Sequence, residues 1–286
     1  MSETATDFAA TAVTHDGAFR VIVLRTTELA REAVHTQKAE GTNAQHLADV
    51  ITGTILVRLT MAPTYRVQGV VRGAGSKGTL VGDSRPDDTA RSLMQRGEGV
   101  DQISLGKGAL MQMMRTLPTG AVHQGVIEVP DGTVSGALMS YFQSSEQIES
   151  MVRIGSRFVD GELQMAGGYL VQLLPEVSRA PLAVMTERLD LDFSELDKVL
   201  DLVERDPREL MKEILYGIEF AETRSTDLRF GCPCSAVRVL SSLATLPRSD
   251  IEDLMSAGES VHITCDYCGT EYELPPSSLA GLLSES

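Results

Sequence analysis

Four cysteines near the end of the chain constrain its fold more than any other feature. They are the only cysteines in the sequence, and residues 235–264 separate two close pairs, Cys232-Pro233-Cys234 and Cys265-Asp266-Tyr267-Cys268. Two pairs of thiolates, each offered from one short turn, are the ligand set that tetrahedral zinc prefers. Gly269, directly after the second pair, can take a positive φ and let backbone N–H groups point at the sulfurs. The pattern predicts one zinc ion per chain, bound by all four cysteines.

The alternative use of these cysteines is two structural disulfides, which would need an oxidising compartment. The N-terminal residues Met1–Phe8 contain neither the basic segment nor the apolar segment that begins a secretory signal. Spacing and compartment together favour zinc over constitutive disulfides. The sequence therefore predicts a cytoplasmic protein with reduced, metal-bound cysteines.

Charge and composition limit the partners of the chain. The formal net charge is −15 over 286 residues, so the phosphates of a nucleic acid would be repelled and no nucleic-acid partner is expected. No apolar run approaches the length of a membrane-spanning helix, and no membrane partner is expected either. The length suffices for one sizeable domain and a smaller one.

The spacing of apolar residues predicts an α+β fold with a mixed sheet-and-helix core domain, a helical linker and a small C-terminal zinc-binding domain. Phe19–Leu24 is a β-branched run typical of a strand. Helical stripes run through Leu196–Val203 and, after the start signal Asp206-Pro207, through Leu210–Ile218. We expect a disordered tail at 1–17, the α+β core at 18–180, the linker at 181–229, the four-cysteine zinc domain at 230–276 and a second tail at 277–286.

Local signals place several elements more closely. Asn43 is expected to cap the second helix of the core, and Asp101–Leu105 to form a strand. In the zinc domain, Ser235 is expected to cap a helix, and residues 260–265 and 270–274 to form a hairpin around the second cysteine pair. A module this small has little core, so metal ligation would contribute roughly 10–16 kcal/mol to its folding.

The core carries no persuasive catalytic constellation, so an enzyme is not expected. Ser84 lacks the GxSxG pattern of a hydrolase. The glycine-rich stretch Gly73–Gly78 lacks the spacing of a phosphate-binding loop and is more typical of a turn between strands. Glu146 follows a predicted helix, where a cap or a surface contact is commoner than a general acid.

The CxC pair leaves the function of the zinc domain open. Two thiolates this close can leave a metal as one local disulfide when an oxidant arrives, and that step is reversible. The residues alone allow a redox-regulated protein, a constitutive zinc-ribbon interaction module or a thiol–disulfide oxidoreductase that uses Cys265 and Cys268. The last is disfavoured, because such enzymes place CxxC at the start of a helix, whereas residues from Thr270 onward are expected to form a strand.

At these residues the sequence resembles the HslO family of redox-regulated heat-shock chaperones. The resemblance is carried by the motifs CPC and CDYCG and by their separation. It continues upstream through Gly106–Gly108, Tyr141–Gln147 (YFQSSEQ) and Ala166–Pro175 (AGGYLVQLLP). The match extends from about Phe19 to about Leu274.

The resemblance implies an ATP-independent holdase that binds unfolding client proteins. In the reduced state Cys232, Cys234, Cys265 and Cys268 would hold zinc in an inactive monomer. Oxidation would pair Cys232 with Cys234 and Cys265 with Cys268 and release the metal. The linker, metastable in this family, would then unfold, and the active form would be a homodimer.

Overall fold

The computed structural model describes residues 6–174 and 180–284. Its strands are β1 (Phe8–Thr14), β2 (Phe19–Arg25), β3 (Arg66–Arg72), β4 (Thr79–Ser84), β5 (Thr89–Gln95), β6 (Leu110–Thr116), β7 (Val122–Glu128), β8 (Ser150–Val159), β9 (Glu162–Leu173), β10 (Phe220–Asp227), β11 (Arg229–Phe230), β12 (Val261–Thr264) and β13 (Glu271–Leu274). Its helices are α1 (Thr27–Thr36), α2 (Gly41–Leu59), α3 (Val134–Tyr141), α4 (Ala180–Asp192), α5 (Leu196–Arg205), α6 (Pro207–Ile214), α7 (Ala236–Leu243), α8 (Arg248–Ser256) and α9 (Pro276–Ser284). The chain divides into two units, Met1–Gly231 and Cys232–Ser286, and each is described by itself.

Two sheets form the frame of the first unit. The first sheet has five antiparallel strands in the order β10-β1-β2-β9-β8. The second has six strands in the order β11-β5-β4-β3-β6-β7, all antiparallel except for the parallel pair β11 and β5. Strands and helices are thus mixed without a regular β-α alternation, and the predicted α+β class is confirmed.

The first sheet is covered on both faces, and each face belongs to a separate hydrophobic core. Side chains alternate along β2: Ile22 and Leu24 point into the first core, whereas Val21 and Val23 point into the second. The first core also contains buried residues of α1, α2, α3 and the second sheet. The second core joins the other face of the first sheet to α4, α5 and α6.

The second core therefore holds the three helices against the first sheet. Its residues from this part of the chain are Met185 and Leu189 on α4, Phe193 directly after α4, Val199, Leu200 and Val203 on α5, and Leu210, Met211 and Ile214 on α6. The ring of Phe193 lies edge-on to Tyr169 of β9, with 6.3 Å between centroids. Arg188 ties α4 to the end of α6 by donating hydrogen bonds to the carbonyl oxygens of Ile214 and Tyr216, both at 2.9 Å.

The expected disordered tail at 1–17 is wrong for the residues that the structure describes. β1 lies between β10 and β2 in the first sheet, and its Ala9, Ala10 and Ala12 are buried. Asp7, directly before β1, accepts a hydrogen bond from the backbone N–H of Leu29 at 2.6 Å, in the first turn of α1. The sequence pattern does not reveal this strand, because its small side chains give little apolar signal. The strand is held by backbone hydrogen bonds to β2 and β10, which do not depend on the identity of its side chains. Residues 1–5 of the expected tail lie outside the described residues.

The helical linker expected at 181–229 is wrong at its C-terminal end. The two predicted helices are present as α5 and α6, and the Asp206 side chain caps α6 by accepting from the N–H of Arg208 at 2.8 Å. After them, however, the chain forms β10, which pairs with β1, and β11, which pairs with β5. β10 is polar and mostly exposed, so its sequence lacks the alternation that marks a strand. The described part of the second expected tail, 277–286, is also ordered differently, since it lies in α9.

Asn43 and the segment 101–105 also differ from expectation. α2 begins at Gly41, and Asn43 lies within it. Its amide donates to the carbonyl oxygen of Asp101 at 2.7 Å and accepts from the N–H of Ile103 at 2.8 Å. The segment 101–105 is therefore irregular and is held against α2 by the side-chain hydrogen bonds of Asn43, where a strand was expected.

Candidate metal centre

A short irregular segment and a turn carry the four cysteines of the second unit. Cys232 and Cys234 precede α7, whose first turn is capped by Ser235, which accepts from the N–H of Arg238 at 3.3 Å. Cys265 and Cys268 lie in the turn between β12 and β13, which pair antiparallel from Val261↔Leu274 to Thr264↔Glu271. The expected cap and hairpin are therefore confirmed.

The turn between β12 and β13 is shaped by Gly269. Its φ is +69°, a conformation that residues other than glycine rarely adopt. The N–H of Gly269 donates to the carbonyl oxygen of Cys265 at 2.8 Å, and the N–H of Cys265 donates to the carbonyl oxygen of Thr270 at 2.9 Å. These bonds fold the turn back on itself and bring both of its thiols to one side.

The four cysteine sulfurs converge on one point. All four Sγ atoms lie within 4.8 Å of one another. The Sγ atoms of Cys232 and Cys265 are 3.8 Å apart, and those of Cys234 and Cys268 are 3.3 Å apart. Zinc–sulfur bonds of about 2.3 Å in a tetrahedron give sulfur–sulfur edges of roughly 3.8 Å. The donor set therefore fits a tetrahedral ion, and it is the one cluster of three or more His, Cys, Asp or Glu side chains suited to a metal among the described residues.

The electrostatics of the cluster favour a bound cation. The pKa of the Cys265 thiol is raised to about 12, mainly by burial and also by the neighbouring thiols, although the backbone N–H groups of Tyr267 and Cys268 act to lower it. Burial also opposes ionisation of Cys268, but hydrogen bonds from the hydroxyl and N–H of Thr270 and from the neighbouring thiols outweigh it and lower its pKa to about 7. Four thiolates at these distances repel one another, and a divalent cation relieves that repulsion.

Tyr272 of β13 supports the cluster from outside. Its hydroxyl donates to the Sγ of Cys234 at 3.0 Å, and this hydrogen bond raises the pKa of the tyrosine to about 12. Partners of this kind orient a metal ligand and tune its affinity. No local sequence pattern indicates this contact, because thirty-eight positions separate the two residues.

The second unit has little apolar interior to stabilise it. Its buried apolar side chains among the described residues are Ile251 of α8, Leu274 of β13 and Leu279 of α9. At about 1.5–3 kcal/mol each, these three side chains contribute about 5–9 kcal/mol in total. Ligation of a metal by the four cysteines would thus be the largest stabilising contribution to this unit.

Other residues considered from the sequence have structural contacts. Ser84 is buried and accepts a hydrogen bond from Nε of Arg58 at 2.8 Å. Glu146 accepts from the Tyr141 hydroxyl at 2.6 Å and pairs with Arg115 at 3.0 Å, so it makes a partly buried ion pair. Gly73–Gly78 connects β3 to β4 through a single 3₁₀ turn, as expected.

A mixed α+β unit is followed by a small unit in which four thiols converge. The class is therefore a two-unit protein with an α+β domain and a small domain whose four cysteines are placed to hold a metal ion. A family model described as "Hsp33 protein" matches residues 7–275. The chain belongs to this family, which is a family of chaperones, and the resemblance drawn from the cysteine motifs is confirmed.

Relatives across nearly the whole chain carry the same description. The "33 kDa chaperonin" of Syntrophotalea carbinolica is 26% identical, covering 95% of this chain and 97% of its own. That of Symbiobacterium thermophilum is 28% identical, covering 96% of each chain. The crystal structure of the 33 kDa chaperonin (heat shock protein 33 homolog) from Thermotoga maritima superposes with a TM-score of 0.83, at 20% identity over 98% of both chains, and shows the same fold.

The length and apolar character of each helix show whether it could span a membrane. Among the helices of residues 6–174 and 180–284, none combines the length and the apolar character needed to cross a lipid bilayer.

Proposed function

We propose that this protein is a redox-regulated, ATP-independent holdase of the cytoplasm, whose switch is the four-cysteine cluster. The observation that carries the proposal is the convergence of four Sγ atoms within 4.8 Å in a unit with little other core. In the reduced state Cys232, Cys234, Cys265 and Cys268 bind one zinc ion as thiolates. Zinc would supply the cross-link that keeps the second unit folded.

Oxidation of the thiolates is the proposed trigger. Each disulfide forms when two thiolates give two electrons to hydrogen peroxide, which takes up two protons from solvent and is reduced to two waters. The proposed pairs are Cys232–Cys234 and Cys265–Cys268, as the family resemblance implies. A disulfide sulfur no longer carries the negative charge that holds zinc, so the metal leaves and the second unit loses its main support.

The response is proposed to pass along the chain into the first unit. Gly231, next to Cys232 in sequence, ends the segment that begins with α4 and includes β10 and β11. That segment is held by the second core and by edge pairing, and it touches the first core near its end, through Leu228 and Phe230. Its release would bare one face of the first sheet, where Val21, Val23 and Val171 are buried, for unfolding client proteins. The oxidised form is proposed to be a homodimer and the reduced form a monomer.

One experiment separates this function from the alternatives. Reduced, zinc-loaded protein is treated with peroxide at mild heat, zinc release is followed with a chromogenic chelator, and suppression of client aggregation is followed by light scattering without ATP. We expect one zinc released per chain, followed by suppression that dithiothreitol and zinc reverse. Zinc release without suppression would indicate a constitutive zinc-ribbon module, and catalytic reduction of a model disulfide would indicate an oxidoreductase.

The pairing of the cysteines is tested in the same samples. Mass mapping should find the two local disulfides. The sulfur contacts at 3.3 and 3.8 Å run between the motifs, so cross-motif disulfides are the chemical competitor. If cross-motif disulfides predominate, the proposed pairing is wrong, but the proposal that the four cysteines bind zinc in the reduced state is unaffected. The Cys265→Ser/Cys268→Ser variant, which cannot complete the site, should bind clients without oxidant.

A further inference from the structure

Methionines line both sides of the second core. Met165 of β9, Met185 of α4 and Met211 of α6 are 4%, 2% and 1% exposed. Met151 of β8 packs partly buried against the same core, with its sulfur 3.3 Å from the Thr186 hydroxyl of α4. We call these four side chains the methionine seam. Thioethers thus lie on the first sheet and on two of the three helices that the second core holds against it.

Oxidation would make the seam incompatible with packing. A methionine sulfur takes one oxygen atom from a peroxide or a hypohalous acid and loses two electrons, while the peroxide becomes water or the hypohalous acid becomes halide and a proton. The resulting sulfoxide is polar and needs a hydrogen-bond donor. The sulfurs of Met151 and Met165 have hydroxyl partners, Thr186 at 3.3 Å and Thr27 at 3.1 Å. Met185 and Met211 belong to the apolar second core, and Leu210, Ile214 and Leu215 are members of the same cluster as Met211. A buried polar group without a donor weakens packing on the order of tenfold or more in equilibrium constant.

Burial makes this oxidation conditional. In the docked state almost no surface of Met185 or Met211 is open to an oxidant. The second core is separate from the first, so α4–α6 can leave the sheet while the rest of the first unit stays packed. The sulfurs become accessible only in that opened state, so oxidant reaches them after opening and not before it.

We infer that the methionine seam is a second oxidation site, distinct in chemistry from the cysteines, which prevents α4–α6 from docking again once they have opened in the presence of oxidant. Thiol reductants reverse disulfides but leave methionine sulfoxides in place, for which methionine sulfoxide reductases are needed. The opened state therefore outlasts re-reduction of the cysteines. The inference concerns packing of the helices and does not rest on holdase activity.

The test is an oxidation and recovery cycle on the full-length, zinc-loaded chain. Protein is treated with peroxide at a temperature that opens α4–α6, then returned to dithiothreitol and zinc at low temperature. Mass mapping measures sulfoxide at each methionine, and hydrogen exchange measures protection of α4–α6. We expect Met185 and Met211 to be oxidised only at the opening temperature. After recovery, amides of α5 and α6 should still exchange at least tenfold faster than in the same protein before oxidation.

Matched variants and an enzyme supply the controls. Met185→Leu/Met211→Leu keeps side-chain volume and should recover full protection. Met111→Leu/Met113→Leu alters two methionines of the first core, each 2% exposed, and should behave like the parent protein. Treatment of the oxidised parent with both classes of methionine sulfoxide reductase should restore docking, a readout that needs no variant.

Two outcomes would overturn the inference. One is full recovery of protection while Met185 and Met211 carry sulfoxide. The other is absence of sulfoxide at both positions although hydrogen exchange shows α4–α6 open. Disulfides and zinc, measured in the same samples, report separately on the cysteine switch, so failure of one proposal is distinguishable from failure of the other.

Discussion

Leu200→Ala should release α4–α6 without any change at the cysteines. Leu200 lies on α5, is fully buried and belongs to the second core. Replacing a buried leucine by alanine costs about 2–5 kcal/mol, through lost burial and the cavity left behind. A value of about 3 kcal/mol corresponds to roughly a 150-fold change in an equilibrium constant. Because the second core holds the helices to the first sheet, that cost falls on docking.

The assay is hydrogen exchange of the reduced, zinc-loaded protein. Amides of α5 and α6 should exchange about 150-fold faster in the variant than in the parent, while amides of β3 and β4 in the second sheet stay unchanged. Under the proposed function, the variant should also suppress client aggregation without oxidant. Zinc content should remain that of the parent protein.

The matched control is Leu56→Ala on α2. Leu56 is as fully buried as Leu200 but belongs to the first core. Its loss should lower the stability of the whole first unit and should not release α5 and α6 selectively. Equal exchange of α5 and α6 in Leu200→Ala and the parent would refute the reasoning, because the second core would then not be what holds these helices.

Three further changes test other parts of the structure. Burial raises the pKa of Asp49 to about 7, so the stability that this group contributes is full below pH 4 and is lost as pH rises towards and through 7. Asp49→Asn should therefore raise the free energy of unfolding at pH 8 by several kcal/mol, from about three pKa units at ~1.4 kcal/mol each, and should change it little at pH 4. Urea titration followed by circular dichroism measures both values. Tyr272→Phe removes the donor to Cys234 and should weaken zinc binding about tenfold in competition with a chelator, and unchanged affinity would exclude a supporting role. Asp88→Asn leaves the buried guanidinium of Arg58 without its carboxylate and should cost about 3–5 kcal/mol in the same urea titration, whereas a loss below about 1 kcal/mol would contradict the importance of this pair.

The cysteine spacing alone was enough to indicate a metal site and, through its resemblance, the family. Caps were equally visible: Ser235 before α7 and Asp206-Pro207 before α6 each act on backbone groups within three residues. The apolar stripe of α5 also predicted which face is buried. Such signals are readable because they depend on neighbours along the chain.

Pairing between distant segments could not be read in this way. β10 joins the first sheet as an edge strand through backbone hydrogen bonds to β1, and such bonds leave no mark on side chains as small as Ala10 or as exposed as Glu222. Asn43 looked like a helix cap, but tertiary structure places it against Asp101. The split into two cores, on which both the proposed release of α4–α6 and the methionine seam depend, arises because the two faces of one sheet meet different helices. The sequence pattern shows only that both faces are apolar, and which helices cover each face is decided when the whole chain packs.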